Sequence, residues 1–253
     1  MKTNVIYLLV LLLVSSCASK KEVLYMQDAM TEASGEVKYN SATIQPNDIL
    51  KITVETLVPE AALPYNKTSS QGMQPQNVQL LQLEGYLVSL DNTIKFPVLG
   101  EISTDNQTTK QLETTIKEKL VSGGHLLSPT VNVRLVNAKV TILGEVNQPG
   151  TYSFTEQNIT LLQALGYAGD LTINGKRNDI LITREVDGLR KVSHIDLTSA
   201  SFMNSEFYFI KPNDVIVVNP NNPRVKNAGF VGDVGTILTI ASLALSITIL
   251  LSR

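Results

Sequence analysis

Tryptophan is absent from this chain of 253 residues, cysteine occurs once and histidine twice. One cysteine excludes an intramolecular disulfide and a cysteine-based metal site. Two histidines, His125 and His194, exclude a histidine-rich metal cluster, so no metal or other cofactor is expected. Aromatics are only 6%, which leaves no obvious stacking platform for sugar rings. Charge of one sign is lacking too: 21 basic against 23 acidic residues give a net −2, and no Lys/Arg patch argues for nucleic acid. Phosphate-cradling glycine motifs are missing, since Ser122-Gly123-Gly124-His125 has neither GxGxxG nor Walker spacing, and there is no Gly-x-Ser-x-Gly elbow. Glu84, Glu101, Glu145 and Asp170 lie near glycines and turns. Sequence proximity does not set the separation a catalytic carboxylate pair needs, and turn carboxylates usually cap or face solvent. His125 follows Gly123-Gly124 at a helix end, where a cation suits the dipole, and His194 shares a strand face with Val192. No catalytic residue is assigned.

What is present begins with a targeting segment. Lys2 gives a small positive region, and Val5 to Val14 form an apolar run of signal-peptide length, too short for a comfortable membrane span. Val14-Ser15-Ser16-Cys17 resembles the lipobox of bacterial lipoproteins, with small side chains before the cut and the Cys17 thiol as the acylation site. Residues 1–16 read as a lipoprotein signal peptide. Acyl chains on Cys17, each gaining about 0.8 kcal/mol per buried CH₂, would form a stable anchor. Ala18 after the cysteine favours the outer membrane, by analogy with enterobacterial sorting.

Residues 17–41 are polar, lack a sustained period, and read as a lipidated tether. Leu50, Ile52 and Val54 then alternate with Lys51, Thr53 and Glu55, the pattern of a half-buried strand. Pro59 to Gln79 reads as a long loop. Gly85–Leu90 and Thr93–Pro97 predict a hairpin around Asp91-Asn92, with Leu99–Ser103 extending the sheet. Thr108 and Gln111 suit a capping box ahead of the stripe Leu112, Ile116, Leu120, and Gly123-Gly124 end that helix. Val131, Val133 and Leu135 alternate again.

From Lys139 the pattern restarts. Strands are expected over Val140–Leu143, Thr151–Phe154, Ile180–Thr183, Lys191–Leu197, Phe207–Ile210 and Val215–Val218. A short helix opens at Thr160-Leu161-Leu162-Gln163 with a second capping box and closes at Gly169. The fold class is therefore α+β, two modules with mainly antiparallel strands. One segment echoes another: Ile44-Gln45-Pro46-Asn47-Asp48-Ile49-Leu50 matches Ile210-Lys211-Pro212-Asn213-Asp214-Val215-Ile216, a Pro-Asn-Asp turn before an apolar strand. Convergent turn chemistry accounts for such an echo, since Pro presets φ and Asp can bond nearby backbone amides.

The order of motifs resembles the Wza-like outer-membrane polysaccharide export (OPX) family. Its carriers are Ile44 to Ile52, Gly85-Tyr86-Leu87-Val88, Ile94 to Gly100, Val140 to Val146 running into Gln148-Pro149-Gly150-Thr151-Tyr152, Thr160 to Leu165 leading to Ala168-Gly169-Asp170, and Pro212 to Val218. The resemblance implies a polysaccharide export domain at 42–137, a β-grasp-like SLBB (soluble-ligand-binding) domain at 138–220 and a linker at 221–233. It also implies a non-enzymatic subunit of a homo-oligomeric ring, often an octamer, that conducts capsular polysaccharide or exopolysaccharide across the outer membrane from soluble domains in the periplasm. The implied partner is an inner-membrane polysaccharide co-polymerase. The chain departs from the family in holding one SLBB-like module and in having Gly169-Asp170 where Gly-Gly is usual.

Residues 234–251 carry no charge and are about long enough to cross a bilayer core, so a C-terminal transmembrane helix is expected. Gly235, Thr239, Ser242 and Ser246 share one helical face of small and hydroxyl residues. Two readings stand for it. The face lines a ring of identical helices, where eight neighbours about 10 Å apart leave a lumen of about 15 Å. Alternatively, it only packs against other helices and the chain is a lipid-anchored glycan-binding or scaffold protein that forms no pore.

Overall fold

The computed structural model describes residues 21, 23–30, 36–37, 39, 41–67, 82, 84–186, 188–221 and 234–251. Its first module rests on strand β1 (Ile49–Glu55). Leu50, Ile52 and Val54 are buried as the alternation requires. β1 pairs antiparallel with β5 (Thr130–Leu135), from Leu50↔Leu135 to Glu55↔Thr130, and with the short β2 (Tyr86–Leu87) on its other edge. A helix (Pro59–Ala62, α1) and a 3-10 turn (Leu63–Tyr65) occupy the start of the segment expected to be loop. Pro59 fits there because a first-turn N–H has no partner to lose.

The expected hairpin around Asp91-Asn92 forms differently. Asn92 does turn the chain at φ 53°. However, β2 pairs with β1, while β3 (Thr93–Phe96) pairs with β4 (Gly100–Ser103) in a separate two-stranded sheet. Ile94, Phe96 and Ile102 are buried there, and that shared apolar face selects β4 as the partner. Helix α2 (Thr109–Ser122) closes the module. Its N-cap Thr108 accepts from Gln111 N–H, and Gln111 Oε1 accepts from Thr108 N–H at 2.8 Å. Leu112, Ile116 and Leu120 are fully buried, each contributing about 1.5–3 kcal/mol of transfer free energy.

The second module is a five-stranded sheet in the order β10-β9-β12-β6-β7. These are β6 (Lys139–Gly144), β7 (Gly150–Ser153), β9 (Gly175–Val186), β10 (Leu189–Ile195) and β12 (Val215–Pro220). Pairing is antiparallel except between β12 and β6, which run parallel in the register Val215↔Thr141 to Val218↔Gly144. A small pair, β8 (Ile159–Thr160) with β11 (Phe209–Ile210), lies beside α3 (Leu161–Tyr167). α3 carries the second capping box, on Thr160 and Gln163. Gly144 ends β6 at φ +89°, where a Cβ would stand 2.1 Å from the Val218 carbonyl oxygen, so no other residue fits without moving β12.

Residues expected to be a free tether are partly docked. Met26 N–H donates to Leu197 O at 3.0 Å and Gln27 N–H to Thr198 O at 2.8 Å. Tyr25 donates its hydroxyl to Asp170, and Asp28 accepts from Ser199 Oγ at 2.7 Å and from Ala200 N–H. Tyr25 and Met26 pack against the core of the second module. Burial pushes the Tyr25 phenol well above its usual range, and the Asp170 carboxylate adds to the effect.

Candidate functional site

The two Pro-Asn-Asp segments form the same turn twice. Asn47 and Asn213 both adopt left-handed φ, 69° and 68°. Gln45 N–H donates to Asp48 Oδ2 and Lys211 N–H to Asp214 Oδ2, each at 2.9 Å. Both carboxylates are buried, at 4% and 1% exposure. Their surroundings then part. Asp214 is gripped by Arg184, with Nε to Oδ1 at 2.9 Å and Nη2 to Oδ2 at 2.7 Å. Burial pushes the Asp214 carboxyl up and the guanidinium pulls it back. No salt bridge to Asp48 forms among the described residues, and burial raises its pKa to about 6.

Asp48 stands at the seam between the modules. Leu135 packs against both cores. Asn137 accepts from Ile49 N–H at 2.8 Å and donates to Asn47 O at 2.9 Å, while Gln45 Nε2 reaches Glu185 O at 3.0 Å. Beside these contacts opens a cleft of about 260 Å³. The first module contributes Asp48, Arg134 and the apolar Leu50 to its wall, and the second contributes Phe154, Glu156 and Gln157. Sequence reading found the turns through their echo. It missed the cleft, because neither module's pattern says which turn faces the other.

The carboxylates near turns are engaged structurally. Glu84 lies 3.8 Å from Lys51, Glu145 accepts from Thr172 Oγ1 at 2.9 Å, and Asp170 holds Tyr25 and the Leu171 N–H. Glu101 sits exposed on β4. His194 meets Asp179 at 2.5 Å on an exposed strand face, and His125 presents its ring to Tyr65. Among the described residues no group of three or more His, Cys, Asp or Glu side chains is placed to hold a metal.

Residues 37–136 match the polysaccharide biosynthesis/export protein family and residues 138–218 match the SLBB domain. The chain therefore carries a polysaccharide export domain followed by an SLBB domain. The EPS I polysaccharide export outer membrane protein EpsA of Ralstonia nicotianae is 31% identical over 106 residues. The EpsA of Ralstonia solanacearum is 30% identical over 104. Each alignment takes in 40% of this chain but only 27% of the relative. The polysaccharide export family is one of export proteins, not of enzymes. In this chain the seam therefore joins the export domain to the SLBB domain, and the cleft is walled by both.

Helix α4 (Val234–Leu251) has the expected bounds. The transmembrane expectation is not met by what the structure describes: among the described residues no helix is long and apolar enough to cross a membrane. The helix has 18 residues, near the lower end of spanning lengths, and several of its side chains lie outside the described set. Gly235, Thr239, Ser242 and Ser246 are exposed along it. Their hydroxyls bond back to their own helix: Thr239 to Gly235 O at 2.8 Å, Ser242 to Thr239 O at 2.9 Å and Ser246 to Ser242 O at 2.8 Å. Cys17 and the signal segment lie outside the described residues.

Proposed function

We propose that this protein is an outer-membrane lipoprotein, anchored through Cys17, and a subunit of a ring-shaped translocon that carries capsular polysaccharide or exopolysaccharide from the periplasm to the cell surface. The observation that carries the reading is the export domain followed by an SLBB domain and then an uncharged helix, on one chain and in that order. At about 1.5 Å per residue, α4 extends roughly 27 Å. Its hydroxyls at Thr239, Ser242 and Ser246 bond back to their own helix. The soluble domains hang in the periplasm, copies of the chain close into a ring, and an inner-membrane polysaccharide co-polymerase delivers the polymer.

The same back-bonding favours a second reading, a lipid-anchored scaffold that holds glycan without conducting it, because hydroxyls already satisfied have no demand for a neighbouring helix or a water-filled lumen. Deleting residues 234–253 separates the two. A translocon subunit loses secreted polysaccharide, while a scaffold held by its lipid keeps it. Particle images of the detergent-extracted protein would show rings for the first reading and none for the second. Thr239→Cys and Ser242→Cys, probed with water-soluble thiol reagents beside a periplasmic control cysteine, react only if that face meets water.

A further inference from the structure

Asp48 and Asp214 occupy the same position in the same turn, and among the described residues only Asp214 has a cation. Arg184 takes both Asp214 oxygens. Asp48 spends Oδ2 on Gln45 N–H, is nearly as buried, and forms part of the wall of the seam cleft. A buried carboxylate left with one backbone donor is costly unless something else donates to it. The cleft is where that donor would come from.

The rest of the wall says what kind of donor fits. Glu156 adds a second acceptor, Arg134 and Gln157 add donors, and Leu135 with the edge of Phe154 supplies apolar surface. Acceptors, donors and apolar carbon on one small wall match a sugar ring, which offers hydroxyls at its edge and C–H bonds on its faces. A bare metal ion fits poorly, since only two carboxylates are present and no cluster of three metal-binding side chains forms among the described residues. The volume, about 260 Å³, lies just below the range for drug-sized ligands and suits one ring, not an oligosaccharide.

We propose that the cleft between the export and SLBB domains is a subsite for one sugar residue of the transported polymer, with the Asp48 carboxylate accepting hydrogen bonds from its hydroxyls. This rests on the export reading and sharpens it. One ring per subunit, held weakly, would grip a passing chain without trapping it.

The test uses the purified full-length protein in detergent and the methyl glycosides of glucose, galactose, N-acetylglucosamine and glucuronate as probes, with saturation-transfer NMR as the readout. At least one glycoside is expected to bind with millimolar affinity. Asp48→Asn keeps the acceptor for Gln45 N–H but loses the charge, and should weaken binding by about tenfold or more. Gln157→Trp, an exposed position at the cleft, should abolish binding without changing the melting temperature, so the test survives even if Asp48→Asn folds poorly. No binding of any glycoside at about 10 mM overturns the subsite, as does binding that neither substitution alters. Binding of methylguanidinium with no glycoside binding also overturns it, in favour of a partner's cationic side chain. Polysaccharide secretion by cells carrying the wild-type chain tests the export reading separately, so failure of one is distinguishable from failure of the other.

Discussion

Arg184 lays its guanidinium flat along the Asp214 carboxylate, and both side chains are almost completely buried, at 3% and 0% exposure. The arginine also donates to Glu206 O at 3.0 Å and Phe209 O at 2.9 Å, and its guanidinium lies 4.6 Å from the Phe207 ring centre. One side chain thereby ties β9, the turn before β12, and the segment leading to β11. Arg184→Ala leaves a buried carboxylate unpaired. It should cost about 3–5 kcal/mol of SLBB-domain stability in urea unfolding.

The two capping boxes should each be worth about 1 kcal/mol. Thr108→Ala and Thr160→Ala are expected to lower the denaturation midpoint, and the corresponding Thr→Ser variants to restore it. Gln163→Ala should resemble Thr160→Ala, because the two side chains satisfy each other's backbone N–H groups.

Stability should rise as the pH falls from 7 toward 5. Folding raises the Asp48 pKa to about 6 from 3.8, so the folded chain takes up a proton that the unfolded chain does not. The cost of burying the charged form is fully present above about pH 6 and is relieved below it, a gain on the order of 1–2 kcal/mol. Asp179 moves the other way, down to about 2, held chiefly by the Lys176 ammonium and then by His194. Hydrogen bonds from Ser199 and from the Ala200 amide lower Asp28 as well. Their stabilisation is lost only as the pH falls below about 4. Urea unfolding at pH 7 and pH 5 should show the rise in the wild type and a smaller one in Asp48→Asn. Burial raises the Asp214 pKa too, against the pull of Arg184, so it acts in the same direction.

The docked segment around Tyr25 should come loose on its own. Asp28→Ala removes the acceptor for Ser199 Oγ and Ala200 N–H, and Tyr25→Phe removes the bond to Asp170. In the double variant, amide exchange at Met26 and Gln27 should accelerate at least tenfold while exchange at Ile180 and Ile182 stays unchanged. Proteolysis within residues 21–30 is the second readout.

Helix α2 and its cap were legible because a capping box and an i, i+4 stripe are local: Thr108, Gln111, Leu112 and Ile116 lie within nine positions. So were the turns at Asn47 and Asn213, where Pro, Asn and Asp set the backbone by themselves. Strand partners were less so. Alternation placed Ile94 and Phe96 on one face but could not say whether β2 or β4 lay opposite, since adjacency in the chain suits both. The docking of Tyr25 on Asp170, 145 positions away, had only a faint signal, the apolar run Val23-Leu24-Tyr25-Met26 in a polar stretch. Asp48 was read as turn chemistry, which it performs. Its missing cation became visible only beside Asp214 in three dimensions.

The docked segment also sets a leash length. Tyr25 lies eight positions after Cys17, an extended reach of about 28 Å, whereas Ile44, an early core residue of the export domain, lies 27 positions after Cys17, a reach of about 95 Å. With the lipid on Cys17, the SLBB domain could not drift more than about one protein diameter from the bilayer, and the side bearing Asp170 and Ser199 would stay turned toward it. The export domain, joined to it at the seam, would become the far end of the molecule, facing whatever hands the polymer over.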